Sequence, residues 1–247
     1  MNYRMKIQYD GTRYRGWQRQ SDTEWTIQGK IEAILSKRFG RKIEIDGAGR
    51  TDAGVHAKAQ IANFHVEENE TVDPVELQRY INTYLPEDIA IEEMCVAGER
   101  FHSRLNATGK TYEYHLIPVG TTNVFARKYA WKMETPLDII AMREAAGYVL
   151  GTHDFRSFCT KASKKKSSVR TIRLLEIYER QDEIVIEITG TGFLYNMVRI
   201  LVGTLVEVGK GLREPEELRD ILEKKERRYA GETAPAWGLF LKQIYYD

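Results

Sequence analysis

One short stretch of the sequence combines the residue types of a reactive loop. GAGRTDAGVH, Gly47 to His56, carries three glycines, one arginine and one aspartate. Three interpretations compete: a plain turn, a phosphate-binding loop, or a catalytic loop that presents Asp52. Dinucleotide-binding loops follow GxGxxG, and Asp52 stands where the third glycine belongs, so its carboxylate would repel a pyrophosphate. Composition alone favours the turn, because an aspartate in a glycine-rich loop often closes its own backbone turn.

A second candidate is the arginine of an apolar helix. The nineteen residues between Glu187 and Glu207 carry one charge, Arg199, within a segment that is apolar nearly all round. Such a helix is buried, and a buried guanidinium needs an anionic partner because an unpaired buried charge costs several kcal/mol. The partner is an acidic side chain or a bound anion. An acidic side chain would either form a structural ion pair with Arg199 or be a carboxylate that Arg199 keeps ionised for catalysis.

Two tyrosines add an aromatic element. Tyr112 and Tyr114 share one face of the predicted strand KTYEYHLI, where one or both could stack on a planar ligand such as a base. Tyrosines in strands also serve as ordinary core residues. The five histidines form no HExxH or other metal-ligand spacing, so we expect no metal site.

Hydrophobic periodicity predicts the elements that must position these residues. Strands are predicted at Arg4 to Asp10, Ala59 to Val66, Ile89 to Val96, Lys110 to Ile117, Val169 to Arg180, Glu183 to Thr189 and Leu239 to Tyr245. Helices are predicted from Ile27 to the stop at Gly40, from Asp73-Pro74 to Tyr84, and at Pro136 to Leu150, Asn196 to Val208 and Pro215 to Arg227. The pattern indicates an α+β fold of two similar units, residues 1–105 and 106–247, each a sheet with helices on one face.

Composition limits the class of protein. Apolar residues make up 42% and no apolar run approaches a membrane span, so we expect a protein without membrane contact. Only Cys95 and Cys159 occur, which indicates the reducing cytoplasm.

The net charge of +1 hides local polarity. Seven basic residues and no acidic one lie between Arg156 and Arg173, and Met1 to Gln20 has five basic residues against one aspartate. These runs predict contacts with nucleic-acid phosphates, through Arg15 and Arg19 and through the Lys-rich stretch; solvated loops are the alternative. The lysines concerned are Lys164, Lys165 and Lys166.

Four blocks together resemble one family. They are YDGTRYRGWQRQ, GRTDAGVHA, RFHSRLNATGKTYEY and FLYNMVRILVGTLVEVG, in that order. The chain resembles the tRNA pseudouridine synthase family called TruA from about Tyr9 to its C-terminus, and GRTDAGVHA is the most specific block. The resemblance implies isomerisation of uridine to pseudouridine at positions 38 to 40 of the tRNA anticodon stem-loop. It also implies a homodimer without cofactor or metal, and halves that form a continuous, mostly antiparallel sheet with a catalytic cleft between them.

The same resemblance implies roles for four residues. Asp52 matches the catalytic aspartate and Arg199 the arginine paired with it. Tyr112 matches the active-site tyrosine, and Arg50 the arginine that helps to displace the target base. The Lys-rich stretch is no fixed family feature, so its RNA role rests on charge alone.

Two other classes stay open. A non-catalytic RNA-binding protein, such as a folding chaperone, could use the same basic surfaces. A base-excising enzyme would share the extruded nucleotide and the carboxylate, but it would release uracil.

Overall fold

The computed structural model describes residues 1–160 and 167–247. Within these ranges the chain divides into two compact units. The first unit comprises Met1–Thr108 with Phe240–Asp247, and the second comprises Gly109–Leu239. Lys164, Lys165 and Lys166 lie outside the described residues.

Ten strands and five α-helices occur in the described residues. The strands are β1 (Asn2–Tyr9), β2 (Asp46–Gly47), β3 (His56–His65), β4 (Ile89–Ala97), β5 (Ala107–Ile117), β6 (Trp131–Lys132), β7 (Gly151–Asp154), β8 (Val169–Arg180), β9 (Glu183–Gly190) and β10 (Leu239–Tyr246). The helices are α1 (Ile27–Phe39), α2 (Pro74–Tyr84), α3 (Ile139–Gly147), α4 (Met197–Gly209) and α5 (Glu217–Lys224). None of these helices is long and apolar enough to cross a membrane.

The first unit is built on the strand order β4-β1-β3-β10, with β2 also paired to β3. β1 runs antiparallel to both β3 and β4, whereas β10 pairs with the start of β3 in parallel. Its core includes apolar side chains of β1, α1 and α2. The core side chains on these three elements are Tyr3, Met5, Ile7, Ile27, Ile31, Leu35, Leu77 and Ile81.

Local signals fix the helix ends of the first unit. The Thr26 hydroxyl accepts a hydrogen bond from the amide of Gly29 at the start of α1, and Gly40 ends that helix in the left-handed region with φ 66°. Asp73 caps α2 by accepting from the amides of Val75 and Glu76. Both helices therefore end where the sequence predicts.

The second unit is an antiparallel sheet in the order β5-β9-β8-β7, with β6 paired to β5 in parallel. Eleven of the thirteen residues of α4 are buried, which confirms the buried helix. Two helices are shorter than predicted. α3 begins after Asp138, whose carboxylate accepts a hydrogen bond from the amide of Ala141. α5 ends at Lys224, because the next residue, Lys225, has a left-handed backbone with φ 53°. The mostly antiparallel strands and the mixture of elements confirm the α+β class.

Candidate active site

Asp52 lies on a tight turn between β2 and β3. The amide of Val55 donates to the Asp52 carbonyl at 3.1 Å, and Gly54 takes a left-handed conformation with φ 79°. Asp52 itself is partly exposed, while Thr51 and Val55 on either side are buried. The turn interpretation is thus correct as a description of shape. The turn presents a partly exposed carboxylate between the buried residues Thr51 and Val55.

Buried polar side chains hold this Asp52 loop, residues 48–55, against the sheet. The Gln60 amide group accepts from the Gly49 N–H at 3.1 Å and donates to the Gly49 carbonyl at 2.8 Å. The hydroxyls of Tyr9 and Thr51 lie 2.8 Å apart in a buried hydrogen bond. Burial raises the pKa of Tyr9, so its phenol stays protonated in this contact. The loop is therefore held in place on the N-terminal side of Asp52, at Gly49 and Thr51.

A second loop, residues 10–26 between β1 and α1, packs on the Asp52 loop. The Trp17 amide donates to the Thr51 carbonyl at 3.0 Å. A methyl group on Gly16 would lie 2.7 Å from the Thr51 carbonyl oxygen, and one on Gly47 would overlap the buried Trp17 indole. Glycine is needed at Gly16 because the two backbones approach closely there, and at Gly47 because the Trp17 indole fills the space that a side chain would occupy.

Arg19 lies in that second loop and is already paired. Its guanidinium lies 3.0 Å from a Glu32 oxygen and 3.0 Å from a Glu44 oxygen. Glu32 is 3% exposed, and its other oxygen accepts from Gln28 and from the amide of Ile45. The charge of Arg19 therefore neutralises a buried carboxylate. This pairing argues against the prediction that Arg19 contacts a phosphate.

Arg15 and Arg50 differ from Arg19. Both are exposed. In the part of the chain that the structure describes, neither guanidinium forms an ion pair with a carboxylate. Within residues 1–160 and 167–247, both charges are therefore available to contact a phosphate.

In the second unit, Arg199 occupies the first turn of α4. Its Nε donates to the Ala234 carbonyl at 2.7 Å and its Nη1 donates to Asn196 Oδ1 at 3.1 Å. Arg199 is partly exposed, so it is less buried than the sequence predicts. Its side chain faces residues 230–235, whereas eleven other residues of α4 are buried.

Residues 230–235 are in turn tied to α4. The Gly231 amide donates to the Thr204 hydroxyl at 2.9 Å, and the Glu232 amide donates to Glu207 Oε1 at 3.0 Å. Glu207 also pairs with Arg213. This segment therefore gives Arg199 a fixed carbonyl acceptor.

The two tyrosines of β5 have different surroundings. Tyr114 is fully buried and donates to the Pro235 carbonyl at 2.8 Å. Burial raises the pKa of Tyr114 despite the opposing charge of Arg199. Tyr112 is 8% exposed and meets Phe193 edge to face, with ring centroids 5.3 Å apart. Of the pair, only Tyr112 has surface through which a ligand could reach it.

The predicted site residues thus fall on both units. Asp52, Arg50, Arg15 and Arg19 belong to the first unit. Tyr112 and Arg199 belong to the second, where their contacts with Phe193 and Ala234 also lie. Among the described residues, no group of three or more His, Cys, Asp or Glu side chains is arranged to hold a metal ion.

Sequence reasoning missed the side chains that hold the Asp52 loop. They are Tyr9 and Gln60. One signal was available: a glutamine at an inward position of an alternating strand must find hydrogen-bond partners, and Gln60 finds them on Gly49.

Comparisons with known proteins agree on one family. A family described as tRNA pseudouridine synthase matches residues 5–106 and 145–247. The chain is 51% identical over 245 residues to tRNA pseudouridine synthase A of Bacillus sp. (strain KSM-64), and 46% identical over 245 residues to tRNA pseudouridine synthase A 1 of Clostridium tetani (strain Massachusetts / E88). Each match covers 99% of this chain and 99% of the relative.

A solved structure described as a Cbf5-Nop10-Gar1 complex is also similar. It is 12% identical with a TM-score of 0.41, and the match covers 97% of this chain and 48% of that one. A similarity of this size is too weak to support a conclusion about fold or function.

Proposed function

Because the chain belongs to the tRNA pseudouridine synthase family and is an isomerase that acts on tRNA, we propose that it converts uridine to pseudouridine at positions 38 to 40 of the anticodon stem-loop. Asp52 supplies the catalytic carboxylate, and no cofactor takes part. The observation that carries this proposal is the Asp52 turn: one partly exposed carboxylate on a backbone held by Gln60 and Thr51 contacts.

The reaction explains why such a turn is useful. The bond between C1′ and N1 of uridine breaks, the uracil turns, and a new bond joins C1′ to C5. C5 loses its proton to solvent, and N1 takes up one proton in its place. No atom is gained or lost. The reacting atoms are shielded until the nucleotide leaves the stack, so the enzyme must let an extruded nucleotide approach closely. Small residues around Asp52 allow that approach.

Three roles for the carboxylate remain open. Asp52 could stabilise or attack C1′, as carboxylates do in glycoside hydrolysis. It could instead add to the base or remove a proton from the sugar. All three roles need the ionised carboxylate, and an arginine partner favours that form.

The other residues of the proposed site follow from the family resemblance. Arg199 is proposed as the partner that keeps Asp52 ionised, and Tyr112 as the ring that contacts the uracil. Arg50, an exposed residue of the Asp52 loop, is proposed to help displace the target base. Arg15 and the lysines at 164–166 are proposed to contact phosphates. A homodimer and a cytoplasmic location complete the proposal.

Wild-type protein incubated with unmodified tRNA tests the reaction and its position together. Pseudouridine should appear at one or more of positions 38 to 40, and no free uracil should be released. Released uracil would identify a base-excising enzyme. Bound but chemically unchanged tRNA would favour the folding chaperone, and pseudouridine elsewhere in the tRNA would refute the proposed position.

A further inference from the structure

An exposed tryptophan lies just before α1. Trp25 is 45% exposed, whereas Trp17 in the same loop is 1% exposed. Single exposed hydrophobic residues are common on protein surfaces, so exposure alone decides nothing. What distinguishes Trp25 is its neighbours and its place beside the Asp52 loop.

A lysine lies over the Trp25 ring. Lys30 Nζ is 4.5 Å from the ring centroid, and it also lies 3.5 Å from a carboxylate oxygen of Glu24. An aromatic face with an ammonium beside it matches a nucleotide, which brings a planar base and an anionic phosphate. Indole rings stack on any base, because every base has a π-face.

Trp25 is also close to Asp52. Its carbonyl accepts from the Arg15 amide at 2.8 Å, and the amide of Ile27 donates to the Gly16 carbonyl at 3.2 Å. A methyl group on Gly16 would lie 3.1 Å from the Asp52 carbonyl carbon. Following these contacts through standard backbone dimensions, the Trp25 backbone is no more than about 15 Å from that of Asp52. Nucleotides next to one extruded at Asp52 fall within this distance.

The Trp25 ring lies beside a buried, hydrogen-bonded tyrosine. It lies 6.5 Å from the ring of Tyr14, which is 2% exposed and donates to Asp88 at 2.6 Å. Burial alone would raise the pKa of Asp88, but hydrogen bonds from Arg13 and Tyr14 outweigh it and hold the pKa below its ordinary value. A ring held in place loses little conformational freedom on binding.

We propose that Trp25, with Lys30 beside it, is a stacking platform for an unpaired base of the tRNA loop that flanks the reacting nucleotide. The inference rests on the proposed function, because it takes Asp52 as the place where that nucleotide reacts. The platform contributes affinity and leaves the chemical step to other residues.

A purely structural role for the same residues makes a different prediction. Trp25 and Lys30 hold the positions before and within the first turn of α1 where two hydrophobic side chains often pack to fix the helix entry. Leucine serves that packing but cannot stack on a base. Phenylalanine can do both, so the two substitutions separate the roles.

The experiment measures Kd, KM and kcat on an unmodified anticodon stem-loop RNA for Trp25→Phe, Trp25→Leu and Trp25→Ala. Tyr84→Ala is the matched control, since Tyr84 is 55% exposed and carries Lys37 at 5.6 Å near the other end of α1. We expect Leu and Ala to raise Kd and KM roughly tenfold without changing kcat, because stacking on one base is worth about that factor. Phe and the Tyr84 control should stay near wild type.

RNAs with one abasic loop position at a time identify the stacked base. At one position beside the target, wild type should fall to the affinity of Trp25→Leu, and the substitution should then have no further effect. The inference is overturned if Trp25→Leu binds as wild type does, if its penalty persists with every abasic RNA, or if kcat falls instead of affinity.

Failure of this inference can be told from failure of the proposed function. Kd is also measured in an Asp52→Asn background, where turnover plays no part. Absence of pseudouridine with wild type refutes the proposed function, whereas binding that ignores Trp25 refutes only the platform.

Discussion

Gly16→Ala tests whether contact between two loops fixes the Asp52 turn. Gly16 has φ 96°, in the left-handed region, and a β-carbon there would lie 2.7 Å from the Thr51 carbonyl oxygen. The conformation costs about 1 to 2 kcal/mol for alanine. Relieving the overlap costs about 1 to 3 kcal/mol more. The free energy of unfolding should therefore fall by roughly 2 to 5 kcal/mol.

Gly40→Ala is the matched control, because it separates the two costs. Gly40 also has a left-handed backbone, with φ 66°, but a β-carbon added there would meet no other atom within 4 Å among the described residues. This variant should lose only about 1 to 2 kcal/mol. Urea unfolding of both variants and of wild type gives the two differences directly.

Turnover on tRNA adds a second readout for the same pair. The overlap pushes on the backbone of Thr51 and Asp52, and misplacing a reacting group by about 1 Å can cost roughly a hundredfold in rate. We expect such a loss of kcat for Gly16→Ala and none for Gly40→Ala. Equal losses of stability and equal turnover in the two variants would refute the reasoning.

Three further predictions concern single charges. Arg199→Ala should lower the free energy of unfolding by about 1 to 3 kcal/mol, since it removes two hydrogen bonds, and should also lower kcat; an unchanged urea curve would contradict this. Asp88→Asn should cost about 1 to 2 kcal/mol at pH 7. That cost should begin to shrink as the pH falls through about 4, the ordinary pKa of aspartate, and should disappear only below the lowered pKa of folded Asp88, because the carboxylate stabilises the fold only while it is ionised. Arg15→Ala should reduce the slope of the logarithm of tRNA affinity against the logarithm of salt concentration by about one. Arg19→Ala should leave that slope unchanged and should destabilise the fold, because buried Glu32 loses its cationic partner. The reverse pattern would refute the assignment of Arg15 to phosphate binding and of Arg19 to the ion pair.

Much of the fold could be predicted where a local signal decides it. Gly40 and the Asp73-Pro74 pair set helix ends through their own conformation and hydrogen bonds. β8 spans Val169–Arg180, the predicted bounds. The ends of α3 and α5 were predicted too long. The hydrophobic periodicity extends into the residues that flank both helices. The cap at Asp138 sets the start of α3, and the left-handed backbone of Lys225 sets the end of α5.

The sequence draws attention to the candidate reactive residues, but it does not reveal the side chains that support them. A loop rich in glycine with one aspartate can be noticed in the sequence. The contacts of Tyr9 with Thr51 and of Gln60 with Gly49 join residues far apart in the chain, so no local pattern announces them. The exposure of Arg199 was misjudged for the same reason, because it depends on residues 230–235.

Pseudouridine formation by Asp52→Asn tests the central claim most directly. Asp46→Asn is the matched control, because Asp46 is an exposed aspartate on β2 just before the same loop. With unmodified tRNA, Asp52→Asn should bind normally and lose turnover by at least roughly a hundredfold, the lower range for removing one reacting side chain. Asp46→Asn should react as wild type does. Substantial turnover by a correctly folded Asp52→Asn protein would contradict the account.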